Sequence, residues 1–292
     1  MIIELKNGKF TAQITSRGAE LLSLCRDGRE FMWQREEKYW GKTSPVLFPI
    51  VGNLRNNEVT YAGERYTMAK HGFCRAAEFE VSGVTDTDAS FSYSFNEETL
   101  KMYPYRFKFT LSYHLSEEGI SINYKVENLD TKAIDYCFGA HPGFNVPLDE
   151  GDKFEDYCIE FPEFEPDGCP VFDFDNNQIN MDNRVDYMLG SKKLMLQYDF
   201  FDNDALVFDK VKSESVKLYS TKTGSGVEVL FGDFDFVAFW TPIKAGAPFL
   251  CIEPWCGMAV CSDEGDTFEE KRGVKHLEVG ESQNFVMTIR PL

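Results

Sequence analysis

The sequence predicts an all-β protein: a large antiparallel β-sandwich with a few short helices. Three observations lead there. Short runs rich in β-branched and aromatic residues recur along the whole chain, Gly, Asp and Asn turn signals punctuate them, and no 3.6-residue apolar period persists for any length. The clearest run starts at Ile120, where Ile120, Ile122, Tyr124 and Val126 alternate with Ser121, Asn123, Lys125 and Glu127. A period of two places the first set on a buried face and the second in water, as in a half-buried antiparallel strand.

In chain order, residues 9–15, 18–25 and 30–34 read as strands, with Asp27-Gly28 turning between the last two. Glu58–Tyr61 with Ala62-Gly63, then 78–84, 90–94, Phe107–Leu115 and 120–127 continue the pattern, and Glu118-Gly119 supplies a hairpin turn. The second half adds 134–140, 157–161, 193–198, 205–208, Ser215–Ser220, 226–231, 236–241, 249–253 and 283–290. Only 96–102 and 267–272 offer single short helices, and 148–183, rich in Asp, Glu, Phe and Pro, reads as a long excursion with a strand inside it. No repeat of 20 to 50 residues stands out, so a single domain over 1–292 is expected, built without βαβ units.

Composition narrows the function. The chain carries 30 Lys and Arg against 48 Asp and Glu, a net charge of −18, which argues against nucleic acid or an anionic membrane surface as partner. Charges at Glu4 and Lys6 interrupt any signal-peptide core, and eight cysteines in 292 residues are too sparse for a disulfide scaffold, so a soluble cytoplasmic protein is expected. Cys251, Cys256 and Cys261 recur every five residues, unlike the paired spacing of zinc sites, and read as buried thiols; no metal is expected. Asp173-Phe174-Asp175-Asn176-Asn177 begins like a calcium loop but has Gln178 and Arg184 where glycine and glutamate are needed. With no phosphate loop, nucleophile elbow or metalloprotease motif, no cofactor is expected, and any chemistry falls to Glu, His and Arg.

Glu253 is the residue that most needs explaining. It lies in Phe249-Leu250-Cys251-Ile252-Glu253-Pro254-Trp255, an apolar run where an ionised carboxylate would be expensive to bury. Either it meets water at the rim of the sheet, or a pocket holds it as a tuned acid or base. His141, in His141-Pro142-Gly143-Phe144-Asn145, shares its setting: each closes an apolar strand and precedes a proline, which restrains the backbone. His71, before Gly72-Phe73, has the same turn-forming company, although histidines so placed are also common as caps. Arg55, in the polar loop after 46–50, and Asp204, in Asp202-Asn203-Asp204, are candidate ligands for hydroxyls or ordinary surface and turn residues. Trp240, Phe249, Trp255, Phe138 and Phe144 supply aromatic faces suited to sugar rings or to plain core packing.

Taken in order, six segments resemble the aldose 1-epimerase (galactose mutarotase-like) family, in particular its branch associated with bacterial lactose and galactose pathways. They are Pro49-Ile50-Val51-Gly52-Asn53-Leu54-Arg55, Lys70-His71-Gly72-Phe73-Cys74-Arg75, Ala140-His141-Pro142-Gly143-Phe144-Asn145, Asp204-Ala205-Leu206-Val207-Phe208, Trp240-Thr241-Pro242 and Cys251-Ile252-Glu253-Pro254-Trp255. The resemblance implies a β-supersandwich and a mutarotase that interconverts anomers through ring opening. By the same resemblance Glu253 is the general base at the anomeric hydroxyl and His141 the general acid at the ring oxygen. His71 and Arg55 hold those oxygens, and Asp204 fixes sugar hydroxyls. Arg75 matches a phosphate-binding position of the hexose-6-phosphate branch, but the arginine that branch carries before Pro45 is missing, leaving Lys42. A neutral aldohexose is therefore expected as the small-molecule partner, with a phosphosugar as the alternative, and the protein as a monomer or homodimer. A silent carbohydrate-binding or regulatory protein on the same fold, and a glycoside hydrolase using Asp204 as second carboxylate, are the competing readings.

Overall fold

A computed structural model describes residues 1–165 and 168–292. Two antiparallel sheets form its body. The larger has nine strands in the order Lys193–Met195, Tyr157–Glu160, Ser215–Ser220, Gly226–Leu230, Ser282–Pro291, Ile120–Asn128, Phe107–Leu115, Asp88–Ser94 and Glu80–Ser82. The alternation read from the sequence is the burial seen here: inward residues of Ile120–Asn128 are buried and outward ones are not, and Phe107–Leu115 pairs with it residue for residue from Phe107↔Asn128 to Leu115↔Ile120.

The second sheet runs Leu206–Phe208, Phe236–Trp240, Phe249–Cys256, Phe138–Ala140 and Val46–Leu47, with Gly143–Asn145 also paired to the central strand. It packs on the first through aromatic rings. Phe138 lies 4.4 Å from Phe285, 5.7 Å from Tyr124 and 6.4 Å from Phe109, centroid to centroid. A single apolar cluster joins the two sheets with the four-stranded N-terminal sheet of Ile2–Asn7, Phe10–Thr15, Leu21–Arg26 and Arg29–Glu30. No helix among the described residues is long and apolar enough to cross a membrane.

Several expectations about elements are refined. The run 134–140 is two strands: Ile134–Tyr136 pairs with Lys275–Leu277, and Phe138–Ala140 joins the second sheet. The helix expected at 96–102 is one turn, Glu97–Leu100, capped by the Asn96 side chain, which accepts from the Glu98 and Thr99 N–H groups. That at 267–272 is a single 3₁₀ turn, Phe268–Glu270. The excursion holds more than one strand, because Cys169–Asp173 and Gln178–Val185 form a hairpin in addition to Tyr157–Glu160. Its turn is the sequence that imitates a calcium loop. There Asp173 Oδ1 accepts from the N–H groups of Asp175 and Asn176, an ordinary Asx-type turn.

Candidate active site

Strand parity places Glu253. Along Phe249–Cys256, Leu250, Ile252 and Cys256 enter the core between the sheets, so Phe249, Cys251 and Glu253 must face the opposite way. That second face is covered by Trp33, Tyr39, Trp40 and Trp240 near Phe249 and Cys251, and it opens into a cleft at Glu253. Directly opposite Glu253 on the neighbouring strand stands Ala238, whose methyl group leaves room above the carboxyl.

Glu253 does not close its strand as the sequence suggested, since pairing continues through Pro254 to Cys256. The proline is tolerated because its carbonyl points toward Gly139, on the side where the neighbouring strand changes from Phe138–Ala140 to Gly143–Asn145 and the ladder is interrupted. His141 occupies that interruption. It ends Phe138–Ala140, and the carbonyl of the following Pro142 accepts from Ile252 N–H at 3.0 Å, which anchors the turn to the central strand.

The result is close apposition: His141 Nε2 lies 3.2 Å from Glu253 Oε2, with both residues buried. Trp40 stacks on the His141 ring at 4.9 Å and Trp240 meets its edge at 5.6 Å, so the imidazole plane is fixed. Gly143 makes this possible, because a Cβ there would stand 3.2 Å from the Trp40 ring. His71 completes the group, its ring 5.8 Å from that of His141 and nearly perpendicular to it. His71 is held by a reciprocal pair of bonds with Gly52: its backbone N–H donates to the Gly52 carbonyl at 2.8 Å, and Gly52 N–H donates to Nδ1 at 3.1 Å. Nδ1 is thereby an acceptor, so the ring offers the cleft its Nε2 proton.

The cleft has a cavity volume of about 260 Å³. Pockets for drug-sized ligands run from roughly 300 Å³ upward, so this one suits a single ring. Its walls bring together Glu253, His141, His71, Asp204, Arg75 and Trp240. Arg55 is not among them. Its guanidinium donates to Asp266 Oδ1 at 3.2 Å, Gln178 Oε1 at 2.7 Å and the Glu264 carbonyl at 3.0 Å, which ties three loops together beside the cleft. Sequence reading missed Trp40, Asn53 and Lys70, together with Pro170, Phe172 and Ile179 of the 169–185 hairpin, all of which line the cavity. Lys70 was the most accessible of these, since it precedes His71 within a quoted segment.

Burial governs the ionisation of the group. Glu253 is pushed well above the ordinary carboxylate range, first by desolvation and then by the Asp204 carboxylate, while Lys70 and the Trp255 indole act in the opposite sense. Desolvation likewise pushes His141 down to about 3, reinforced by the positive charges of Lys70 and Arg75. His71 is lowered well below its usual value by burial, then by His141, Lys70 and Arg75. Burial therefore favours the neutral form of each member of this close pair. Beyond the 3.2 Å approach of His141 Nε2, Glu253 Oε2 makes no well-aligned hydrogen bond, and neither does the buried Trp255 Nε1, so both can turn to a ligand.

Comparison with known proteins identifies the family and the fold. The family model for aldose 1-epimerase matches residues 1–268. The plasmid-encoded protein LacX of Lactococcus lactis subsp. lactis is 38% identical over 278 residues, 93% of each chain. Among solved structures, a galactose mutarotase-like protein from Lactobacillus casei superposes with a TM-score of 0.94 at 28% identity, covering 100% of both chains. A galactose mutarotase related enzyme from Lactobacillus acidophilus gives a TM-score of 0.92 at 32% identity, covering 100% of this chain and 97% of that one. The chain thus belongs to the aldose 1-epimerase family, whose members are sugar isomerases.

Proposed function

We propose that this protein is a mutarotase, interconverting the α and β anomers of an aldohexose by proton transfer between the sugar and the Glu253–His141 pair. The observation that carries the reading is the 3.2 Å approach of the two side chains within a ring-sized cleft. The pair holds one proton; transfer across the gap produces carboxylate and imidazolium. The carboxylate takes the proton of the C1 hydroxyl, and the imidazolium gives its proton to the ring oxygen as the bond from C1 to that oxygen breaks. The open aldehyde rotates about the bond from C1 to C2 and closes by the reverse transfers, which return the pair to its starting state. His71 donates from Nε2 to a sugar oxygen, Asp204 accepts from hydroxyls, and Trp40 and Trp240 pack against the ring. Each proton-transfer group contributes roughly 10² to 10⁴-fold.

One observation favours a phosphorylated sugar. In a chain of net charge −18, Lys42, Lys70 and Arg75 line the same cleft. Arg75 is half-buried, with its pKa lowered by desolvation, and neither it nor Lys70 has an ion-pair partner among the described residues. An unpaired, partly desolvated guanidinium is well suited to an anionic substituent. The test is the rate of anomer exchange by NMR for glucose, galactose and their 6-phosphates. If the substituent meets Arg75, R75Q lowers kcat/KM for the phosphosugar by about 10- to 100-fold while changing the neutral sugar far less. Equal losses on both sugars would exclude that contact.

A further inference from the structure

Beneath the proton-transfer pair lies a third ligand-forming side chain that mutarotation does not use. Cys251 shares the parity of Glu253 on the central strand, two residues away, and its thiol is fully buried. The Cys251 sulfur, one nitrogen of His141 and one oxygen of Glu253 all lie within 4.8 Å of one another. In a tetrahedral zinc site, bonds of about 2.0–2.3 Å place ligand atoms roughly 3.3–3.8 Å apart. The 3.2 Å separation of His141 Nε2 and Glu253 Oε2 is already close to that, and the sulfur needs a shift on the order of 1 Å. Glu253 Oε2 is buried and makes no well-aligned hydrogen bond beyond this approach, so it is available for coordination.

We infer that His141, Cys251 and Glu253 form an inhibitory site for a thiophilic divalent cation, typified by Zn²⁺, with the fourth position facing the cleft. Thiolate, imidazole and carboxylate together suit zinc better than magnesium or calcium, which take oxygen ligands. Charge balance supports the assembly. Burial opposes ionisation of Cys251 and of Glu253 taken singly, but one dication with one thiolate and one carboxylate is neutral overall. The cation takes the thiolate and the carboxylate as ligands, so protons leave as it binds, and it displaces the proton on which sugar ring opening depends. The cysteine spacing that argued against zinc in the sequence does not bear on this set, which takes a single cysteine together with Glu253 of the same strand and His141 from the end of Phe138–Ala140. The inhibitory consequence rests on the mutarotase reading above; the binding does not.

The experiment is calorimetric titration of the full-length protein with Zn²⁺ in buffers of differing ionisation enthalpy, alongside Co²⁺ absorption spectra. Wild-type protein is expected to bind one equivalent, to release protons on binding and to show a sulfur-to-cobalt charge-transfer band. C251A is expected to lose that band and roughly tenfold or more of the Zn²⁺ affinity, while keeping its mutarotation rate and losing its inhibition by Zn²⁺. If C251A does not fold, sugar competition on wild-type protein decides: saturating aldose should displace Co²⁺ and abolish the band. Absence of stoichiometric binding, equal binding by C251A, or, once sugar binding has been measured, a band indifferent to saturating sugar would each overturn the proposal. A protein that binds Zn²⁺ in this way yet fails to accelerate any anomer exchange would keep the metal site and refute the mutarotase reading alone.

Discussion

At the scale of single residues, the shared proton makes the sharpest predictions. E253Q keeps the shape of the side chain and removes its ability to accept a proton, so kcat should fall by roughly 10² to 10⁴-fold with sugar binding largely retained, as read by polarimetry and calorimetry. With His141 depressed to about 3 by burial, kcat/KM should show no acid limb at the pH where a free histidine titrates. A profile with a steep acid limb near pH 6.5 would mean that His141 titrates like a free histidine. The same depression has a stability sign. Between pH 6.5 and about 3 the unfolded chain binds a proton at His141 that the folded one refuses, so stability is full above pH 6.5 and falls as the pH drops through that window. H141N should unfold less steeply with acid over that interval in denaturant titrations. These residues were legible in the sequence because a carboxylate in an apolar run and a histidine at a strand end are each anomalous, and family resemblance paired them. The sequence says less about Arg55, which does not line the cleft. A guanidinium in a loop reads the same from sequence whether it meets a ligand or, as here, the 264–266 loop and Gln178. R55A should leave KM nearly unchanged while costing roughly 1–3 kcal/mol of stability, measured by chemical denaturation.

At the scale of elements, the site is a consequence of β-pairing register. Ala238 opposite Glu253, the break between Phe138–Ala140 and Gly143–Asn145 that accepts Pro254, and the aromatic cover around Phe249 each follow from which residues stand across from which. Gly52 is the clearest dependency. It has a φ of +68°, and a Cβ there would stand 2.4 Å from the Ala259 Cβ, so G52A should destabilise the protein by roughly 2–4 kcal/mol. It should also lower kcat, because the loop that orients His71 must shift; a variant with wild-type stability and rate would show that the Gly52–His71 bonds are dispensable. Strands with clean alternation, such as Ile120–Asn128, were readable from sequence alone. The 169–185 hairpin was not, since its Asp-rich turn imitates a calcium loop and its second strand, Gln178–Val185, is mostly polar and half exposed. It nonetheless contributes Pro170, Phe172 and Ile179 to the cleft wall.

At the scale of the whole molecule, we propose that the chain folds as one cooperative unit, because a single apolar cluster joins its three main sheets and Phe138 with its ring neighbours bridges the two larger ones. F138A should cost about 3–5 kcal/mol and lower one common transition in calorimetry, whereas two separated transitions would mean independent units. The fold class was legible because turn punctuation and period-two alternation act locally. The order of strands in the sheets was not, because Tyr157–Glu160 pairing with Ser215–Ser220, or Ile120–Asn128 with Ser282–Pro291, is decided by contacts remote in sequence. The central claim, that this architecture positions Glu253 and His141 to move protons on a sugar, is tested most directly by following freshly dissolved α-glucose, α-galactose and their 6-phosphates by polarimetry or NMR. Wild-type protein is predicted to accelerate anomer exchange of at least one of them catalytically, with E253Q and H141N close to the buffer rate. No acceleration of any of the four, or full activity in either variant, would contradict it.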